Sequence, residues 1–360
     1  MYTLKPSQYD RVVPLITAEN DVTVQSALHG IINSEVMVDD AVSPTCALLK
    51  LPGTNYVMGN TDNRSFNEML STKLDFWDPL TPDNDAWCSI IPQCHPNSYI
   101  RRYTRCHYEL SKNDWKDTLF AVPPEYVIEK VDVSQIRKHR YENADKLLDW
   151  TGDYCKDRDF MKDGTGCYVR HADKITNWSL SDGHYREKIA IGVQSDERFR
   201  RKGLSVAAVA ATIKECFRKG FSTIEWLCVD FNKGSRAIAE KLGFRLVNTY
   251  YSFTPYPPCE NYHDLSEQDW NEWADYYEKY SLNEPRLLGE QLLARIKGNH
   301  NQKAKETICI MKEKYGAAVL EENQWIAKIP NTIDYFHSIG MCSALSSEEW
   351  ASILCRLSIL

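Results

Sequence analysis

Lys188-Ile-Ala-Ile-Gly-Val-Gln-Ser195, then Asp196-Glu-Arg-Phe199, then Arg200-Arg-Lys-Gly-Leu-Ser205, decides how this chain reads. The first run is apolar enough for a strand, the second is turn chemistry, and the third opens a helix, Val206–Lys219, that Gly220 stops. Gly203 permits a tight backbone at the helix start, where free N–H groups point outward and the dipole is positive. That is an anion site suited to a pyrophosphate, and Arg200, Arg201 and Lys202 add charge beside it. Alone, such a stretch reads as an ordinary solvated turn. A second element, Asn232-Lys-Gly-Ser235 followed by Ala239-Glu-Lys-Leu-Gly243-Phe244, stands after the next strand, Thr223–Val229, and the pair is far more specific than either half.

Working outward, two proline-containing joints, at 121–124 and 254–258, divide the chain into segments 1–122, 123–256 and 257–360. The middle segment reads β-α-β-β-β-α-β-α-β, from Tyr126–Val131 through a polar helix to about Trp150, strands Gly166–His171, Ile175–Leu180 and Lys188–Ser195, to a final strand Arg245–Thr254. The first segment is mixed α/β, with a helix Val22–Asn33, strands Cys46–Leu51 and Asn55–Met58 about a Pro52-Gly53-Thr54 turn, and a weakly alternating strand Tyr99–Leu110. The last segment is helical, with Ser266 and Asp269 as a capping box and helices over Glu284–Lys297, Lys303–Tyr315, Ile333–Ile339 and Ser346–Leu357.

The 360 residues carry 43 Lys+Arg against 50 Asp+Glu, a net charge of −7, which argues against a broad nucleic-acid footprint. No run approaches the roughly 18 apolar residues of a membrane helix, and the N-terminus lacks a signal-peptide pattern, so a cytoplasmic chain with neither nucleic-acid nor membrane partner is expected. Most of the twelve cysteines then read as reduced packing residues. Cys88, Cys94-His95 and Cys106-His107 fit no compact zinc spacing, and no metal is expected.

On Arg200, Gly203 and Ser205, and on Asn232 with Leu242-Gly243-Phe244, the sequence resembles the GNAT superfamily of acyl-CoA-dependent N-acetyltransferases. Its closest look is to the branch holding the zwittermicin A resistance acetyltransferase, through Lys188–Val193, Arg201–Leu204, Trp226-x-Cys228 and Asn232-x-x-Ser235. The resemblance implies an α/β (α+β) fold: a mixed central sheet with helices on both faces, a first segment that its α/β order permits to be a degenerate second copy, and a helical C-terminal region. It implies acetyl-CoA as co-substrate, a small-molecule primary amine, such as an amino-containing antibiotic, as acceptor, and antibiotic resistance as one role. A non-catalytic acyl-CoA-binding sensor or interaction protein with a relic core is the alternative.

The resemblance also implies site roles. The pyrophosphate would lie on Arg200, Arg201, Lys202, Gly203, Leu204 and Ser205, and the pantetheine along Val193, Gln194 and Ser195. Asn232 would reach the pantetheine arm, unless it caps the Ser235 helix. The usual glutamate of the fourth strand is Ala190 here, leaving Glu187, His184 or Glu225 to take the substrate's proton. A tyrosine common in the last helix is Ala239, leaving Tyr250 or Tyr251 to protonate the leaving thiolate.

Overall fold

The computed structural model describes residues 1–17, 22–117, 120–154, 160–258 and 265–315. It forms two compact units, Met1–Pro255 and Tyr256–Leu360.

Among the described residues the first unit is built on twelve strands: β1 (Tyr2–Thr3), β2 (Glu35–Val38), β3 (Cys46–Leu51), β4 (Thr54–Gly59), β5 (Leu80–Pro82), β6 (Arg101–Ser111), β7 (Tyr126–Lys130), β8 (Gly166–His171), β9 (Lys174–Tyr185), β10 (Lys188–Ser195), β11 (Thr223–Val229) and β12 (Arg245–Thr254). They make one mixed sheet in the order β1-β2-β3-β4-β5-β12-β6-β11-β10-β9-β8-β7. Its two ends follow the same plan. β1 to β4 are antiparallel neighbours and β5 joins β4 in parallel; β7 to β10 are antiparallel neighbours and β11 joins β10 in parallel. The next strand of each half crosses over: β6 lies between β11 and β12, antiparallel to both, and β12 meets β5 at Phe253↔Leu80.

That exchange corrects the sequence-based division at 122. The prolines at 123 and 124 break hydrogen bonding locally, yet β6, from the first segment, is an interior strand of the second half's sheet. The other joint, at 254–258, lies at the division between the two units.

Helices cover both faces. α1 (Val22–Leu28) comes from the first half, α2 (Arg64–Lys73) and α3 (Ile91–Cys94) follow, and α4 (Val133–His139) and α5 (Ala144–Thr151) stand where one polar helix is predicted. The prediction splits because Arg140 and Asn143 adopt left-handed backbone, at φ 52° and 68°. After α6 (Phe160–Asp163), α7 (Leu204–Arg218) and α8 (Lys233–Lys241) cover one face of the second half. Val209, Ile213 and Cys216 of α7 are fully buried with Ile189, Ile224 and Trp226 of the strands; each large side chain so buried stabilises by roughly 1.5–3 kcal/mol. On the opposite face, Val24 and Leu28 of α1 share a core with Val36 and Leu49 of the first half and Trp178 and Leu180 of the second. The two halves are joined by packing as well as by pairing.

The second unit holds α9 (Glu267–Ser281), α10 (Leu287–Lys297) and α11 (Asn301–Ile310), continued by a π turn Met311–Tyr315. The Ser266 hydroxyl accepts from the Asp269 amide while the Asp269 carboxylate accepts from the Ser266 amide, so aspartate completes the capping box. Trp270, Trp273 and Tyr277 are buried. The helices expected over Ile333–Ile339 and Ser346–Leu357 lie outside the described residues. No described helix is long and apolar enough to cross a membrane.

Candidate active site

β10 and β11 pair at Lys188↔Thr223, Ile189↔Ile224 and Ala190↔Glu225, and at no later pair. A register irregularity in the β9–β10 ladder falls between Ala190 and Ile191, where β10 turns away. Beyond it Ile191–Ser195 stay on β9 while β11 keeps β6 along its whole length, so a wedge opens with the backbone of Val193, Gln194 and Ser195 along one edge.

At the wide end of the wedge stands the basic turn. Asp196 braces it, accepting from Asn143 Nδ2 at 3.1 Å and pairing with Lys174 Nζ at 2.7 Å and Arg198. Burial alone would raise its carboxyl, but hydrogen bonds from Lys174, Arg198 and Asn143 outweigh that and hold it well below the usual carboxylate range. Arg201 and Gly203 take left-handed backbone, at φ 59° and 77°, and turn the chain into α7. A Cβ on Gly203 would meet nothing within 4 Å, so its backbone angle requires the glycine, and the space at the helix start is open. The first-turn amides of α7, with exposed Arg201 and Lys202 beside them, suit a pyrophosphate. Lys202 Nζ donates to the Tyr126 hydroxyl at 3.2 Å and sits 5.1 Å from the Phe199 ring centre. Leu204 is buried beneath the turn, and Ser205 Oγ accepts from Asn177 Nδ2 at 2.8 Å, tying α7 to β9.

On the other edge Asn232 caps α8, its Oδ1 accepting from the Ser235 amide at 3.0 Å, and Ser235 Oγ accepts from Trp226 Nε1 at 3.0 Å. Ala239 is fully buried in the core with Trp226 and Phe244, so this position offers no hydroxyl.

On the face away from α7 lies a cavity of about 690 Å³, shared between the halves: Tyr56, Thr81 and Asp83 from one, Leu227, Asn248 and Tyr250 from the other, and His107 and Glu109 from the exchanged strand β6. His107 Nε2 is 3.7 Å from Glu225 and 3.9 Å from Glu109. These three offer ligand atoms within 4.8 Å of one another, but Lys188 already brings a positive charge among them, 2.9 Å from Glu109 and 3.9 Å from Glu225. Glu225 is fully buried and accepts from the Val22 amide of α1 at 3.0 Å.

Of the expected acid–base residues, the structure brings Tyr250 to the cavity, where its hydroxyl accepts from Arg105 Nε at 3.1 Å. Glu187 is exposed in the β9–β10 turn, its carbonyl accepting from the Ser222 amide, at the closed end of the wedge. His184 packs 5.6 Å from the Phe221 ring. Neither lines the cavity. Sequence reading weighed His107 only as a zinc ligand beside Cys106 and passed over Glu109, which stands on a strand without a motif. Cys94 and Cys167 carry buried thiols, which burial pushes up to about 11 and about 12.

The chain is 24% identical over 236 residues to the uncharacterized N-acetyltransferase YdfB of Bacillus subtilis (strain 168), covering 63% of this chain and 87% of that protein. It is similar in fold to the GCN5-related N-acetyltransferase-like protein of Streptococcus suis 89/1591, with TM-score 0.56, 24% identity, and coverage of 69% of this chain and 98% of that one. The GNAT acetyltransferase family model matches residues 13–253, spanning the wedge, the basic turn and the cavity. The chain therefore belongs to the GNAT acetyltransferase family.

Proposed function

We propose that the protein transfers acetyl from acetyl-CoA to a primary amine of a small molecule, by direct attack of the amine on the thioester. The observation that carries this reading is the wedge between β10 and β11, with an anion-binding turn at its end and a cavity on its other face. Amides of Arg201 to Ser205, with the side chains of Arg200, Arg201 and Lys202, hold the pyrophosphate. The backbone of Val193 to Ser195 pairs with the pantetheine, and an N–H on that edge stabilises the developing oxyanion. Acetyl-CoA supplies the activated acyl group. Tyr250, with Arg105 against its hydroxyl, is the candidate acid for the leaving sulfur. Asn232 and Ser235 fix α8 beside the wedge rather than reaching along it.

The test is to incubate the protein with acetyl-CoA and a panel of primary amines and follow free thiol release. The panel includes an aminopolyol antibiotic, the acceptor class to which the resemblance to the zwittermicin A resistance branch points. Thiol release dependent on an amine is expected. Tight CoA binding without turnover of any amine would favour a non-catalytic acyl-CoA sensor, a reading that the buried Ala239 and Ala190 keep in play.

A further inference from the structure

With no carboxylate at position 190, the proton of the incoming ammonium needs another acceptor on the face of the wedge opposite α7. The geometry points to Asp182 of β9 as that general base, an assignment that rests on the transferase reading above. In the ladder Leu180 faces Gly192 and Gly183 faces Ala190, while Asp182 falls at the irregularity between Gly183 and Ser181. Leu180 belongs to the core opposite α7, and the approach of the Asp182 carboxylate to the Cβ position of Gly192, the ladder partner of Leu180, puts it on the same face. Trp150 Nε1 donates to Asp182 Oδ1 at 2.6 Å and fixes the carboxylate. Its other oxygen, Oδ2, lies 3.1 Å from where a Cβ on Gly192 would stand, and the Trp150 ring lies 2.8 Å from the same point. A glycine is therefore needed at 192, and its missing side chain lets the carboxylate lie against the backbone of β10.

The competing carboxylate, Glu225, is fully buried, with Val22 on one oxygen and Lys188 and His107 within 3.9 Å of the other. It is charge-balanced and shut off from an incoming amine. Asp182 keeps part of its surface exposed, although its carboxyl is deeply enclosed and lies outside the lining of the cavity. The charged and titratable groups facing it are Asp153 after α5, Arg105 of β6 and the neighbouring Tyr154. Desolvation raises its carboxyl, the Trp150 bond opposes, Asp153 adds to the rise and Arg105 subtracts, leaving it at about 7. A base so poised is half ionised near neutral pH.

The step balances. Asp182 carboxylate takes one proton from R–NH3⁺; the free amine adds to the thioester carbonyl, the C–N bond forms and the C–S bond breaks. The sulfur leaves as thiolate and gains a proton from Tyr250 or from the amide nitrogen, and Asp182 returns its proton to solvent.

The experiment measures kcat/KM against pH with acetyl-CoA and a panel of ethanolamine, 1,3-diaminopropane, lysine and glucosamine, alongside CoA affinity by calorimetry. Asp182→Asn keeps the shape and still accepts from Trp150. It is expected to lower kcat/KM about 100-fold or more, to abolish the acid limb, and to leave CoA affinity unchanged. Asp182→Glu should restore part of the rate. Trp150→Phe, by removing a bond that favours the ionised carboxylate, should move the acid limb to higher pH, which a purely structural contact would not do. Asp182→Asn within threefold of wild type with the limb retained overturns the assignment alone. Wild type that turns over none of these amines removes the transferase reading and this assignment together.

Discussion

The two halves of the sheet share a plan and differ in two places. In each half the parallel ladder has three pairs, ending at Ala190↔Glu225 in the second and at Val57↔Pro82 in the first, but β10 runs on through Ile191–Ser195 beyond its last pair, whereas β4 adds only Met58 and Gly59 and the Asp83 amide still reaches the Val57 carbonyl at 2.9 Å. After the fourth strand, the second half has Arg200–Gly203 and an open helix start. The first half has Asn60-Thr-Asp-Asn63, where Asn63 Oδ1 accepts from the Phe66 amide at 3.1 Å and Asn63 Nδ2 donates to Asp39 at 2.9 Å. The first helix start is thus capped by its own chain beside Asp39, while the second is open and flanked by the exposed Arg201 and Lys202. One topology yields a long wedge or a short one according to how far the fourth strand runs past its last pair and to a four-residue turn.

The sharpest way to break this comparison is Gly203→Glu. The carboxylate opposes the anion, so CoA affinity should fall at least 100-fold, about 2.7 kcal/mol, in calorimetry, while the left-handed backbone strain costs about 1 kcal/mol of stability and leaves the protein folded. A loss under threefold would mean that the two turns do not differ in function.

Next in size is Gly59→Ala at the end of β4. Its φ is 95° and a Cβ there would lie 2.2 Å from the Thr45 carbonyl oxygen, so about 2 kcal/mol of stability should be lost in urea unfolding. CoA affinity of the folded protein should not move, because this glycine serves architecture alone.

A pH comparison sharpens the contrast between two aspartates. Asp182 has a folded value of about 7, above its unfolded value of about 3.9, so the stability it lends is full below pH 4 and is lost as pH rises through 7. Asp182→Asn should then melt higher than wild type at pH 8 and match it near pH 4. Asp39 of the first half behaves oppositely: burial alone would raise it, but hydrogen bonds from Thr45 and from the Cys46 amide lower it. Its contribution is present above the ordinary carboxylate value and lost as pH falls through the lower folded one, so Asp39→Asn should melt lower at pH 8. The same direction of change for both variants would remove the contrast.

The smallest effect is expected for Asn63→Ala. Losing the α2 cap should cost about 1 kcal/mol of stability, read in urea unfolding, with no change in CoA affinity.

Legibility in the sequence followed local rules. Strands Cys46–Leu51, Gly166–His171, Lys188–Ser195, Thr223–Val229 and Arg245–Thr254 stand where β-rich runs bounded by turn residues put them. The short β1 and β5 carry too few residues for any period to show. The basic turn was legible because a helix start needs its glycine within a few residues of its charges. The acid–base groups were less so: Glu187 and His184 are close in sequence to Ala190, but a hairpin carries them to the closed end of the wedge.

By itself the sequence determined the family's two-part motif, the order of strands from 126 to 254 and the left-handed glycine at the start of α7, all consequences of short-range sterics and spacing. Only the tertiary structure decided that β6 crosses into the second half, that His107 and Glu109 meet Glu225, and that Asp182 comes to rest against Gly192. Those contacts join residues far apart in the chain, and strand exchange and register, which no local pattern encodes, set them.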